Sequence, residues 1–400
     1  MDLLFSLGIP TLSLALFAAA VKKYCKITFL HPFVWISALY VFGAASNVFV
    51  ARSDFKQFSD IAYSDISIMF VYVAVIAIYL LPISSFKPIK IAKRNKLLDI
   101  FSKLSIPFIL FSFFYLVPFA VIGITTGAVN VRFDLAVHGK SILPETPLTT
   151  LAVTVAQFHV LYAFLFVYSY VFNARKYIKA MMFLGSLLYL ISSFSFAARD
   201  GFIWLVMSYV YPLWFFKPAL SASALALIKK SVVPVATVGL IIFSYFTIQR
   251  FSDRETSIFG MIISYFGQQP LVFVETIKSQ SEFYYGDLRF PLVKMMIGDF
   301  SPVVRLSQYE WSFGTFVKDL YSVNGWGFLI ASTICIPLAT YVASRVTLRF
   351  TNSNPILAIL YVQMAYQGIF YFRLGTLIGN AYILVMVLFW MLTFISPVRK

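Results

Sequence analysis

The chain has 400 residues, of which 60% are hydrophobic, 18% aromatic and only 12% charged. Soluble domains carry about 45–50% apolar and about 25% charged residues, so this composition excludes an ordinary soluble enzyme and a disordered tail. The net charge of +16, from 32 Lys and Arg against 16 Asp and Glu, would mark a polyanion binder only if the basic residues shared one surface.

A bilayer core about 30 Å thick needs about 20 apolar residues per helix. Runs of that kind lie near 3–21, 28–50, 63–85, 102–126, 149–172, 180–198, 201–216, 231–248, 326–344, 355–372 and 376–395. They predict an all-α polytopic membrane protein of about eleven transmembrane helices, within a range of ten to twelve. Strands of a membrane barrel would instead read as alternating segments of about 10 residues. The first run follows Met1-Asp2 with no basic flank before it, so it is expected to be a retained helix and not a cleaved leader.

The basic residues then sort by loop. Alternate loops carry Lys22, Lys23 and Lys26; Lys87, Lys90, Lys93, Arg94 and Lys96, with Lys103 just beyond; Arg175, Lys176 and Lys179; Lys217, Lys229 and Lys230; Arg345 and Arg349; and Arg399 and Lys400. These nineteen face a single acid, Asp99, while the other loops hold the remaining 13 basic residues and 15 acids. The excess of +16 thus divides into +18 on one side and −2 on the other. Positive loops stay in the cytoplasm, which predicts a periplasmic N-terminus and a cytoplasmic C-terminus. The charge is a topology signal.

Residues 1–400 read as a single integral membrane domain without internal repeats. Three outer regions interrupt the plain bundle. Residues 127–148 form a moderate loop, Arg199-Asp200-Gly201 a tight turn, and 249–325 a 77-residue segment. Within the last, IFGMIISYFGQQPLVFVETI (258–277) is broken by Gln268, Gln269 and Pro270. One or two helices at the outer interface are expected there, with Phe and Tyr at headgroup depth. Cys25 and Cys335 offer neither a bridge nor a metal-ligand spacing and read as packing residues.

The turn at 199–201 matters through length. The run 201–216 has 16 residues and reaches only about 24 Å, so Arg199 and Asp200 are expected to be recessed below the outer surface. Charge at such depth is costly and commonly functional, although the two could simply staple neighbouring helices. Arg250 and Arg254 directly follow the eighth run, and Arg373 lies between the last two, in YFRLGTLIGN. Interfacial anchoring accounts for such residues equally well. A guanidinium, however, binds phosphate bidentately and stays charged, so Arg199, Arg250, Arg289 and Arg373 are candidates for holding a diphosphate. Base candidates are Asp200, Asp287, Glu275 and His159, left unranked; a lone helix His is more often a packing residue.

Several chemistries have no residues to support them. There is no Walker A motif, no paired-His helix for zinc, and His31, His138 and His159 are scattered. Acids near the middle of the runs are nearly absent, which disfavours ion-coupled transport.

The run EWSFGTFVKDLYSVNGWGFLI (310–330), with FAARDGFIW (196–204) and YFGQQP (265–270), resembles the bacterial O-antigen polymerases of the Wzy type, or oligosaccharide repeat-unit polymerases. So does the layout of many spans with a large outer loop before the last few. The resemblance implies a GT-C-like glycosyltransferase in the bacterial inner membrane, acting in lipopolysaccharide biosynthesis without metal or cofactor. It would transfer a glycan from undecaprenyl (polyprenyl) diphosphate to a second lipid-linked repeat unit on the periplasmic face. The partners so implied are lipid-linked oligosaccharides as donor and acceptor, membrane lipids and a chain-length regulator protein, with no nucleic acid. An O-antigen ligase shares this layout, and a lipid-linked oligosaccharide or polysaccharide transporter is the alternative of another class.

Overall fold

The computed structural model describes residues 3–50, 63–89, 94–127, 130–131, 141–198, 200–251, 258–280, 282–301, 314–350, 354–369, 372 and 374–395. All regular structure among them is helical. In chain order the helices are α1 (Leu3–Tyr24), α2 (Pro32–Val50), α3 (Tyr63–Ser84), α4 (Lys96–Thr126), α5 (Pro147–Gln157), α6 (His159–Val171) and α7 (Lys176–Ser195). There follow α8 (Asp200–Phe216), α9 (Ala222–Phe251), α10 (Ile258–Ser279), α11 (Pro291–Met296), α12 (Thr315–Phe350), α13 (Asn354–Gln367) and α14 (Leu377–Ile395).

Six of these are long and apolar enough to cross a membrane: α2, α3, α4, α7, α9 and α12. The pair α5 and α6, bent by 49° at Phe158, makes a seventh if the two are counted as one span. Their outward faces carry large apolar side chains: Phe114, Ile241 and Leu338 are 56–70% exposed. Helices that are apolar all round belong in hydrocarbon. The chain is a helical membrane protein.

Each predicted run falls on a helix, with informative departures. The run 326–344 lies in a helix that begins eleven residues earlier, at Thr315, and is broken at Asn324-Gly325. The run 355–372 stops being helical after Gln367, where no side chain fits at Gly368, its Cβ position lying 2.6 Å from the Met364 carbonyl and 2.8 Å from the Phe316 ring. Residues 258–279 form one helix, α10, with a buried middle rather than a face left free for an interface. Cys25 and Cys335 are free and exposed, so neither packs in the core.

The helices group into two compact units. Unit 1 comprises 1–86, 259–349 and 360–387; unit 2 comprises 87–258, 350–359 and 388–400. Glycines set the closest helix approaches inside each. In unit 1 a Cβ on Gly267 of α10 would lie 2.4 Å from the Ser46 carbonyl of α2. In unit 2 a Cβ on Gly123 of α4 would lie 2.1 Å from the Phe194 carbonyl of α7. Where lipid removes the hydrophobic drive for helix association, such small-residue contacts let backbones pack directly. Gly123→Ala and Gly267→Ala should each lower stability by about 1–3 kcal/mol, measured as thermal midpoint in detergent. Gly327→Ala, at a position with nothing within 4 Å, should be neutral or mildly stabilising, as Gly within a helix costs about 0.5–1 kcal/mol.

His31, just before α2, supplies a pH handle. It is buried, its Nε2 lies 3.3 Å from the Phe86 carbonyl, and its Nδ1 accepts from the Phe33 N–H at 3.1 Å. Burial pushes its pKa down to about 4, against a smaller opposing effect of the Phe86 carbonyl. The unfolded chain takes up a proton near pH 6.5, so this contribution is complete above that pH and is lost as pH falls towards 4. The loss is about 3 kcal/mol. Thermal midpoints at pH 7 and pH 4.5 should differ by more in the parent than in a His31→Gln variant; equal differences would remove His31 as a cause.

Candidate functional site

Unit 1 holds the densest buried charge, and it is built around a broken helix. Asn324 (φ −161°, ψ 48°) and Gly325 (φ 59°, ψ −148°) interrupt α12, leaving a short leading piece, 315–323. Gly325 is in the left-handed region that glycine tolerates best, and a Cβ there would lie 2.9 Å from the Phe283 ring. A break strips the last carbonyls of their intrahelical partners. Here the Tyr284 N–H donates to the Ser322 carbonyl at 3.2 Å and the Tyr285 N–H to the Val323 carbonyl at 2.8 Å. The loop 282–290 is thereby pinned to the broken end. At the other end of the short piece, the Phe316 N–H donates to the Gly368 carbonyl at 2.8 Å, which ties in the chain after α13.

On this frame sits Asp319, wholly buried. Its Oδ1 accepts from Arg289 Nη2 at 2.6 Å and lies 3.5 Å from Lys318 Nζ; its Oδ2 accepts from the Phe372 N–H. Three donors from three segments satisfy a carboxylate that an apolar interior would otherwise not tolerate as an ion. Among the described residues, two cations meet one anion there. Its members differ in access. Asp319 and Lys318 are 0% and 2% exposed by side chain, whereas Arg289 is 12% exposed. Arg289 is also held from behind, since Asn380 Nδ2 donates to its carbonyl at 3.1 Å and to that of Leu374 at 2.8 Å.

Asp287 lies on the same loop, two residues from Arg289. Its Oδ1 accepts from the Ser301 N–H at 3.1 Å and is 3.9 Å from Lys294 Nζ, which is also bonded to Asp299. The bond to Asp299, with the nearby charges of Asp287 and Asp299, holds the Lys294 pKa above the ordinary lysine value. Glu275 is buried on α10, also in unit 1.

Unit 2 joins the other two base candidates through a tyrosine. The Asp200 Oδ2 accepts from the Tyr189 hydroxyl at 2.8 Å and from Trp204 Nε1 at 3.1 Å. His159 is fully buried at the bend between α5 and α6, its ring stacked on Tyr189 with centroids 4.8 Å apart. Asp200 opens α8, where the helix dipole favours its negative charge. A Cβ on Gly201 would lie 2.0 Å from Ser193 Oγ and 3.1 Å from the Leu190 Cα, so only glycine lets α8 start this close to α7. The carboxylate is therefore oriented by neutral donors within a close helix crossing.

Among the predicted arginines, the structure brings Arg289 into the buried cluster. Arg199 and Arg373, the side chain of Arg250, and Arg254 and His138 lie outside the described residues. Lys318, Asp319 and Asn380 were not anticipated from sequence. The signal for the first two was Asn324-Gly325, a breaker pair five residues after a Lys-Asp pair in an otherwise apolar stretch. Among the described residues no three His, Cys, Asp or Glu side chains converge as a metal set. No protein-family model, no curated protein and no solved structure matches this chain.

Removing the anion takes a buried counter-ion from Arg289 and Lys318, so Asp319→Asn should cost about 3–5 kcal/mol. Combining it with Lys318→Met should recover more than about 1 kcal/mol of that, as groups in direct contact couple. Thermal unfolding of the two singles and the double measures the coupling. Additive costs would dissolve the cluster as a unit.

Proposed function

We propose that the protein is an integral-membrane glycosyltransferase that polymerises lipid-linked oligosaccharide repeat units, in the manner of the O-antigen polymerases it resembles. In this reading it lies in the bacterial inner membrane with eleven spans and a GT-C-like architecture, and Arg289 faces the periplasmic side. The observation that carries the proposal is Arg289 itself: a guanidinium anchored by a buried carboxylate, on a polar loop pinned to a broken helix, in a segment that precedes the final spans.

Glycan transfer from a polyprenyl diphosphate breaks the bond between the anomeric carbon and the diphosphate oxygen. An acceptor hydroxyl forms the new glycosidic bond and gives up its proton. Negative charge grows on the departing diphosphate, and a fixed cation stabilises that change most when it needs no reorganisation. Asp319 supplies this fixing, and Lys318 adds to the field. The hydroxyl proton needs a carboxylate or imidazole within reach. Of the four base candidates, Asp287 shares the loop of Arg289, and the proposal gives it that role.

A transporter is the second reading, because broken helices and buried charges also build ion sites. In transporters the carbonyls freed by a break are the cation ligands. Here those of Ser322 and Val323 are taken by Tyr284 and Tyr285, which favours the transferase.

The test is a chromosomal deletion complemented with variants, read as the lipopolysaccharide ladder on a gel. Deletion should leave core plus a single repeat; absence of any attached repeat would indicate a ligase instead. Arg289→Lys retains the charge next to Asp319 but not the bidentate fork, and should cut chain extension about 10²-fold or more at unchanged protein level. Asp287→Asn should do the same. Near-normal ladders from both would sink the proposal.

A further inference from the structure

A second polar cleft lies within unit 2, apart from both clusters above. It has a volume of about 370 Å³ and is walled by the start of α4, the end of α6 and the turn into α7. Arg94, Asp99, Lys103 and Arg175 supply its charges. Asp99 is already engaged by Arg94 at 2.7 Å, whereas Lys103 and Arg175 have no ion pair among the described residues. The cleft is therefore left with two uncompensated cations.

Its walls are fixed. The Asn95 N–H donates to the Tyr168 hydroxyl at 2.8 Å, joining the head of α4 to α6. The turn from α6 closes through the Ala174 N–H on the Ser169 carbonyl at 2.8 Å, with Asn173 in the left-handed region at φ 45°. Arg175 takes the N-cap place of α7 and provides no side-chain cap, so the partial positive charge of that helix end adds to the cleft. Tyr189, which holds Asp200, lies fourteen residues further along α7, or about 21 Å away.

We propose that this cleft is a binding site for a phosphate-ester anion, presented by the headgroup of an anionic phospholipid. The size is that of a small-ligand pocket, commonly about 300–1,000 Å³. Two unpaired cations are enough to neutralise the single negative charge of a phosphodiester and can donate to both of its non-bridging oxygens. The exposed Leu104 and Phe108 of α4, at 65% and 49%, offer apolar surface beyond Lys103 for acyl chains. Basic pockets between membrane helices bind such headgroups.

The experiment uses the full-length protein in neutral detergent at constant ionic strength, with the thermal midpoint as readout. Dioctanoyl phosphatidylglycerol should raise the midpoint by several degrees, and dioctanoyl phosphatidylcholine should not. The double variant Lys103→Gln/Arg175→Gln should lose the shift, and Lys103→Arg/Arg175→Lys should keep it. Should the double variant fail to fold, Arg175→Gln alone, at an exposed position, should reduce the shift. Inorganic phosphate acting as strongly as the lipid would assign the same site to a soluble phosphate; inactivity of inorganic phosphate assigns it to the headgroup. The proposal is overturned if the Gln variants keep the full shift, if Lys229→Gln/Lys230→Gln on α9 abolishes it equally, or if neither lipid nor phosphate gives one.

Discussion

A carboxylate with no exposed surface, in a chain whose interior and exterior are both apolar, has to be neutralised by its own protein. Asp319 meets this demand with Arg289, Lys318 and the Phe372 N–H, and the rest of unit 1's polar architecture follows. Arg289 comes from the loop 282–290, Phe372 from the chain between α13 and α14, and Lys318 from the same short helical piece. Losing any one contact leaves a buried charge short of its partners, which costs more than the contact's nominal worth. The three segments are consequently held to a common geometry by one side chain. The helix break fits the same scheme. If α12 ran straight through 324–325, Ser322 and Val323 would spend their carbonyls within the helix, and the loop carrying Arg289 would have no backbone anchor.

Unit 2 orients its carboxylate through neutral donors, as Asp200 accepts from the Tyr189 hydroxyl and from the Trp204 ring N–H. In both units the polar groups sit where glycine allows close backbone approach or where a helix is interrupted. Membrane helices confine irregular backbone to such protected places.

How much was legible in the sequence follows from the range of each interaction. The apolar runs could be read because a bilayer imposes a demand on every 20 or so consecutive residues; all fall mainly on helical residues, with 149–172 divided between α5 and α6, and among the described residues six or seven helices are long and apolar enough to span. Asp200 stood out in the sequence through the short run after Arg-Asp-Gly, and its partner Trp204 is four residues on, one turn along α8. Long-range pairings were not legible. Asp319 meets Arg289 thirty residues before it and Phe372 fifty-three after it, and no periodicity marks such a triplet. The glutamines and proline within 258–277 suggested a surface location. In the folded chain Gln269 is buried and α10 packs against α2 through Gly43 and Gly267, because a close helix crossing shields polar side chains that composition alone assigns to an interface.

The short piece 315–323 also has a second face. Phe316 and Leu320, four residues apart and so one above the other, line a small apolar cavity of about 20 Å³ together with Tyr79, Ile336, Met364 and Phe372. Asp319 and Lys318 point their charges elsewhere, into the cluster with Arg289. One helical piece of two and a half turns therefore borders a charged group and an apolar space, and Phe372 belongs to both, through its N–H and its ring. At that size the space admits no isoprene unit, so the proposed function draws on the charged group and not on the cavity. Under the proposed function, the exposure order of the cluster acquires a reason. Arg289 is its most exposed member, and a planar guanidinium is the group that recognises phosphate bidentately; buried Lys318 acts through its charge alone.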